Sequence, residues 1–170
     1  MRIRPARQED AAAIAGVHVR AWQAAYAGLL PDDALAGLSI EERAERWRTL
    51  LREPAPGLRV WIGEEEGGRI VGLSSTGPSR DPTASAGTAE VFTIYLEPAV
   101  AGTGRGRTLF AHAVGDLRSD GFTSAELWVL STNDRARRFY ERAGWHTDGE
   151  ERIESMYGME LRETRYRIEL

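Results

Sequence analysis

Residues 89–110 read AEVFTIYLEPAVAGTGRGRTLF. The run Glu90–Leu96 is apolar on both alternating faces, the pattern of a central strand in a sheet covered on either side. Beyond it, Leu109, Phe110, Ala113, Val114 and Leu117 recur at helical spacing and mark one buried helix face. Ala101-Gly102-Thr103-Gly104-Arg105-Gly106 stands between the two. Three glycines so close together cost backbone entropy, so the turn needs a physical reason. One reason is tight packing of the helix on the sheet. The other is anion binding: unpaired N–H groups at a helix start converge on one point, and glycine lets the backbone come close to a ligand. Arg105 and Arg107 add positive charge, which points to a phosphate or pyrophosphate. The spacing is G-x-G-x-G rather than G-x-G-x-x-G, and the loop lies late in the chain, so a nicotinamide or flavin site is disfavoured.

Outward from this stretch the chain reads as one mixed α/β domain over residues 1–170. Arg2–Ala6 alternates as a short strand, and Ile14, Val17, Ala21, Trp22 and Ala25 form a helical stripe. Pro31 starts another short turn or helix, and Ser39 with Glu42 makes a capping box for the next. LRVWIGEE and RIVGLSST pair through a Glu66-Gly67-Gly68 turn, with the acidic run 64–66 read as solvated. Residues 77–89 form a long Gly/Pro/Ser/Thr-rich loop. SAELWVL is a second central strand, NDRARRFYERAG a helix stopped by Gly144, and WHTDGEERI and MELRETRYRIEL two last strands with a loop between them.

Composition narrows the function. The 170 residues include no cysteine and no lysine, all 22 basic residues being arginine. That excludes thiol catalysis, a Schiff-base lysine and a Walker-A lysine. His18, His112 and His146 lack ligand spacing, so no metal is expected. A net charge of −4 argues against a general grip on nucleic acid. With no long apolar run, no membrane contact is expected, and the expected location is cytoplasmic. No G-x-S-x-G elbow supports a serine hydrolase.

The two segments AEVFTIYLEPAVAGTGRGRTLF and LWVLSTNDRARRFYERAGW together resemble the GNAT superfamily of acyl-CoA-dependent N-acyltransferases. The resemblance implies a central mixed, mostly antiparallel sheet flanked by helices, and acetyl-CoA as cosubstrate with no metal. The family loop [Gln/Arg]-x-x-Gly-x-[Gly/Ala] falls on Ala101–Gly106, with Ala101 departing from Gln or Arg and Arg105 from an aliphatic residue. By resemblance, N–H groups from Gly102 to Gly106, with Thr103, Arg105 and Arg107, hold the cofactor pyrophosphate. Ile94, Tyr95 and Leu96 pair with the pantetheine amides, and Asn133 and Arg137 approach the cofactor. Asn133 also reads as a helix cap, and Arg137 as an exposed helical arginine.

Acyl transfer to an amine needs a base for the ammonium, an acid for the leaving thiolate and a donor for the oxyanion. Glu90 enters a strand face shared with Phe92, Ile94 and Leu96, where a carboxylate's pKa should rise, which suits a general base. It also reads as a solvated strand end. Tyr140, in N-x-x-A-x-x-x-Y, falls where the family places a general acid, and reads equally as a core aromatic. With no cysteine, attack on the thioester is direct. For a small-molecule or peptide amine, Trp22, Tyr26 and the loop TDGEERIESMYG are candidates, its Asp148, Glu150, Glu151 and Glu154 suiting a cation. Arg80 suits a carboxylate instead, so the acceptor's charge stays open. A homodimer is consistent with the resemblance, and a non-catalytic acyl-CoA sensor with the same fold is the alternative.

Overall fold

The computed structural model describes residues 1–156 and 158–170. Among them are seven strands, β1 (Arg2–Pro5), β2 (Arg59–Glu64), β3 (Ile70–Pro78), β4 (Thr88–Leu96), β5 (Ser124–Leu130), β6 (His146–Met156) and β7 (Met159–Glu169). Five α-helices lie between them: α1 (Ala11–Ala25), α2 (Asp32–Ala36), α3 (Ile40–Arg52), α4 (Arg105–Ser119) and α5 (Asp134–Arg142). The strands form one sheet in the order β1-β2-β3-β4-β5-β7-β6. Every neighbouring pair is antiparallel except β4 and β5. This is the mixed, mostly antiparallel sheet with flanking helices that the sequence led us to expect.

Successive residues of each covered strand point to opposite faces, and each face has its own helices. Ile62 and Leu73 pack with Ile14 and Val17 of α1 and Trp47 of α3. On the other face Trp61 meets His112 and Asp116 of α4, and a Cβ at Gly72 would touch Leu109. A second core joins α4 and α5 to β4, β5 and β7 through Phe110, Leu117, Val91, Leu127, Tyr140 and Tyr166. The five α4 residues expected on one face are all buried. Ser39 caps α3 by accepting from the Glu42 N–H at 3.1 Å, as expected.

Several boundaries differ from the sequence reading. Ala25 is exposed, at the last residue of α1. The 77–89 loop shrinks to 79–87, since pairing carries β3 to Pro78 and starts β4 at Thr88. The acidic run is not merely solvated: Glu64 binds Arg2 and Arg4, and Glu65 binds Arg69 and Arg105. The strand expected over WHTDGEERI forms and runs on to Met156, broken by a register shift between Thr147 and Glu151, so the loop expected between the last two strands is shorter; its Tyr157 lies outside the described residues. No helix among the described residues is long and apolar enough to cross a membrane.

His18 sits 7% exposed on α1, stacked on Tyr95 of β4 at 4.6 Å. The Trp47 indole N–H donates to its Nδ1 at 3.2 Å, so the neutral ring carries its proton on Nε2, which has no partner among the described residues. Burial, with Arg43 adding repulsion, pushes His18 down to about 3. Between pH 6.5 and about 3 the unfolded chain therefore binds a proton that the folded chain refuses, and stability falls as pH falls. Thermal melts should show a loss of about 2 kcal/mol between pH 7 and pH 5, absent in His18→Phe. Equal slopes in both proteins would remove this histidine as the cause.

Candidate active site

The parallel ladder between β4 and β5 runs only from Thr88–Ser124 to Glu90–Glu126. Beyond Glu90 the two strands part, β4 staying with β3 as far as Leu96 and β5 with β7 as far as Leu130. The inner edge of β4 from Val91 to Leu96 thus faces a gap inside the sheet, and no ladder uses its backbone groups on that side. An extended ligand with amide groups can pair there as an added strand.

A bulge sets what faces this gap. Thr76 pairs with Val91 and Ser75 with Thr93, leaving Phe92 as the extra residue. Alternation breaks at that point. Tyr95 packs with the α1 side, while Ile94 joins the α4–α5 core and Leu96 lies against Gly106. Glu90 lines the same cavity as Tyr95. Strict alternation had placed Glu90 with Ile94 and Leu96; the bulge corrects this.

The glycine turn follows β4 directly. Gly102 and Gly104 adopt φ of 78° and 84°, in the left-handed region that favours glycine, and a Cβ on either would meet nothing within 4 Å. Thr103 folds its hydroxyl back onto the Val100 carbonyl at 2.6 Å. Gly104 heads α4 without a side-chain cap, and the first N–H to bond back to it is that of Thr108 at 3.1 Å. The N–H groups of Arg105, Gly106 and Arg107 therefore point out of the helix start. Ala101 through Gly104 are exposed, as is Arg107, while Arg105 is drawn to Glu65 at 2.8 Å. This is a cradle that fits an anionic phosphate group. Because the space is open, Gly104→Ala isolates the backbone term: it should cost about 1–2 kcal/mol in denaturant unfolding, and an unchanged midpoint would show that φ is not the reason for glycine.

On the far side of the gap, Asn133 caps α5, accepting from the Ala136 N–H at 3.1 Å. Arg137 donates to the Tyr166 hydroxyl at 3.2 Å and the Ser131 carbonyl at 3.0 Å, contacts that hold α5 on β7 rather than reach the glycine turn. Tyr140 is buried among Phe110, Phe139 and Tyr166. Burial pushes its phenol up, and Tyr95 reinforces the shift. Burial also pushes up Tyr26, just beyond the end of α1, helped by Tyr95, Tyr140 and Glu163.

On the α1 side the gap opens into a cavity of about 170 Å³. Trp22, Tyr26 and Arg80 line it, together with Glu90. Glu90 is not in apolar surroundings: Arg80 places Nε on Oε2 at 3.0 Å and Nη2 on Oε1 at 2.5 Å. None of Asp148, Glu150, Glu151 and Glu154 lines the cavity. Asp148 is taken by Arg165, and Glu151 by Arg162. The carboxylate that does line it, unforeseen, is Glu163 on β7, bound by Arg152 of β6 at 2.7 Å. These two are register partners across the last hairpin, a pairing that composition does not reveal. Trp128 and Leu130, read only as central-strand residues, are walls as well. Among the described residues no cluster of three His, Asp or Glu side chains is set to hold a metal ion.

A sheet that parts beside a glycine-turned helix start has room for an extended ligand with an anionic end, and comparison with known proteins identifies the class. The model of the acetyltransferase (GNAT) family matches residues 10–145. The chain belongs to that family. It is 31% identical over 131 residues to the uncharacterized N-acetyltransferase YuaI of Bacillus subtilis (strain 168), covering 77% of this chain and 72% of that one. The fold is that of the PaiA N-acetyltransferase from Thermoplasma acidophilum, solved in complex with coenzyme A (TM-score 0.73, 19% identity, 99% and 98% of the chains). It is equally that of yncA from Salmonella typhimurium, solved with its cofactor acetyl-CoA (TM-score 0.71, 23% identity, 99% and 93%).

Proposed function

We propose that the protein is an N-acetyltransferase that moves the acetyl group of acetyl-CoA onto a primary amine, with Glu90 as general base and Tyr140 as general acid. The observation that carries this reading is the parting of β4 from β5 immediately after Glu90, with the uncapped glycine turn following β4 and Tyr140 in the same core as Val91 and Ile94 of the parted strand. Family membership and the cofactors of PaiA and yncA support it.

The N–H groups from Gly102 to Gly106 hold the pyrophosphate, and the β4 edge at Ile94–Leu96 pairs with the pantetheine amides. Ala101 has no polar side chain and its N–H is bonded to the Pro98 carbonyl at 3.1 Å, so the grip rests on the main-chain groups that follow it. Acetyl-CoA supplies the thioester. The amine enters from the cavity as an ammonium; Glu90, directly or through water, takes one proton so that the nitrogen lone pair can form the C–N bond. Tyr140 gives its proton to the sulfur as the C–S bond breaks, and recovers one from the nitrogen. The products are the amide, the thiol and the proton left on Glu90. No cysteine is present for an acyl-enzyme, so transfer is direct.

The test is a pair of measurements. Acetyl-CoA at a hundredfold excess over its dissociation constant should stabilise the protein by about 2.7 kcal/mol, a rise of about 5–10 °C, and NADH should not. Thiol release on adding amines then separates an enzyme from a sensor, which shares the stabilisation and releases nothing. No rise with acetyl-CoA would overturn the cofactor reading.

A further inference from the structure

The Arg80–Glu90 pair carries more information than a base held in place. Glu90 is 3% exposed, whereas the Arg80 side chain is 64% exposed and rests on the Phe92 ring at 4.5 Å. The guanidinium fork and the Arg80 N–H take three of the carboxylate's roughly four acceptor positions, so an arriving ammonium meets a cation beside the one position left on Oε1. Of the two partners, only Arg80 has room to swing. Its neighbours are tied down: the Ser79 N–H donates to the Thr88 carbonyl at 3.0 Å and its hydroxyl to Glu126 at 2.5 Å, and the Asp81 side chain meets Arg165 at 3.3 Å. Glu126 is 1% exposed and is the register partner of Glu90 across the parallel ladder. The Arg80 N–H therefore stays on Glu90 Oε2 at 3.1 Å whatever the side chain does. If the guanidinium leaves, Oε2 remains bonded and Oε1 becomes free to accept a proton.

The guanidinium needs a reason to leave, since a fork on a carboxylate is among the stronger hydrogen-bonded pairs. Another carboxylate at the cavity rim supplies one. Beside the cavity, Arg152 binds Glu163 with Nε and Nη2, both on Oε2 at 2.7 Å, so its other oxygen, Oε1, is left as an acceptor for an ammonium, within electrostatic reach of Tyr26. At about 170 Å³ the cavity is below the range of roughly 300–1,000 Å³ usual for drug-sized ligands. Trp22, Leu30 and Leu161 give it an apolar wall.

We propose, resting on the acetyltransferase reading above, that the acceptor is a small amino acid whose own carboxylate draws Arg80 off Glu90. Its ammonium then lies between Glu90 and Glu163, and binding of the correct acceptor exposes the base. Arg80 is thus a specificity-determining residue that reads the carboxylate, and amines lacking one meet a base still forked by arginine.

The experiment compares acetylation of free α- and ω-amino acids with that of their carboxamides, in the wild type and in Arg80→Gln, with acetyl-CoA binding checked separately by thermal shift. In the wild type the preferred acid should exceed its amide in kcat/KM by about ten- to a hundredfold. In Arg80→Gln the acid should slow and the amide quicken, bringing the ratio to within about threefold of unity. An amide as good as its acid, a ratio unchanged by Arg80→Gln, or acids left inert while acetyl-CoA binds would each overturn the proposal. Failure of acetyl-CoA itself to bind would instead strike the acetyltransferase reading beneath it.

Discussion

Tyr140→Phe is expected to lower kcat by about 10²–10⁴-fold while leaving acetyl-CoA binding and the melting temperature nearly unchanged. The ring packs on Phe110, Phe139 and Tyr166, contacts that phenylalanine keeps. What is lost is the hydroxyl, whose proton is held tightly because burial, with Tyr95 nearby, disfavours the phenolate. A phenol pushed above its ordinary value of about 10 stays protonated through neutral and mildly alkaline pH, so this group should cause no fall in rate below pH 10. The sign matters: an acid is useful only while it carries its proton, and a raised value extends that range upward. A variant that melts several degrees lower yet turns over normally would make Tyr140 a core aromatic and nothing more.

Most of the fold could be read from periodicity because each covered strand and helix announces its buried face. Leu109 to Leu117 on α4 and the run Ser124–Leu130 on β5 are cases where apolar spacing alone suffices. The glycine turn was legible for a different reason: Gly102 and Gly104 stand in open space, so only their backbone angles explain them. What could not be read is whatever depends on register. The bulge at Phe92 adds one residue to β4 and reverses the facing of everything after it, and nothing in VFTIYL marks that position. The Arg152–Glu163 pair depends on a hairpin register that local sequence does not set. The Arg80 fork joins a loop to a strand, and sequence reading gave the two residues separate expected roles, Glu90 as base and Arg80 as carboxylate grip. The structure joins those roles in a single contact, so the charge of the acceptor and the availability of the base become one question.

Glu90→Gln tests that contact from its other end. The amide keeps the shape of the carboxylate and one oxygen for Arg80, so folding should survive, the more so because Arg80 is largely solvated. It cannot take a proton from an ammonium. At pH 7 kcat/KM should fall by about 10²–10⁴-fold. The deficit should then shrink as pH rises, by about tenfold per unit, because an alkyl amine with a pKa near 10 arrives increasingly neutral and needs no base. A base can be replaced by pH; a positioning contact cannot. If the deficit instead stays constant from pH 7 to pH 9.5, Glu90 serves to hold Arg80, and the proton leaves the amine by a route that does not pass through this carboxylate.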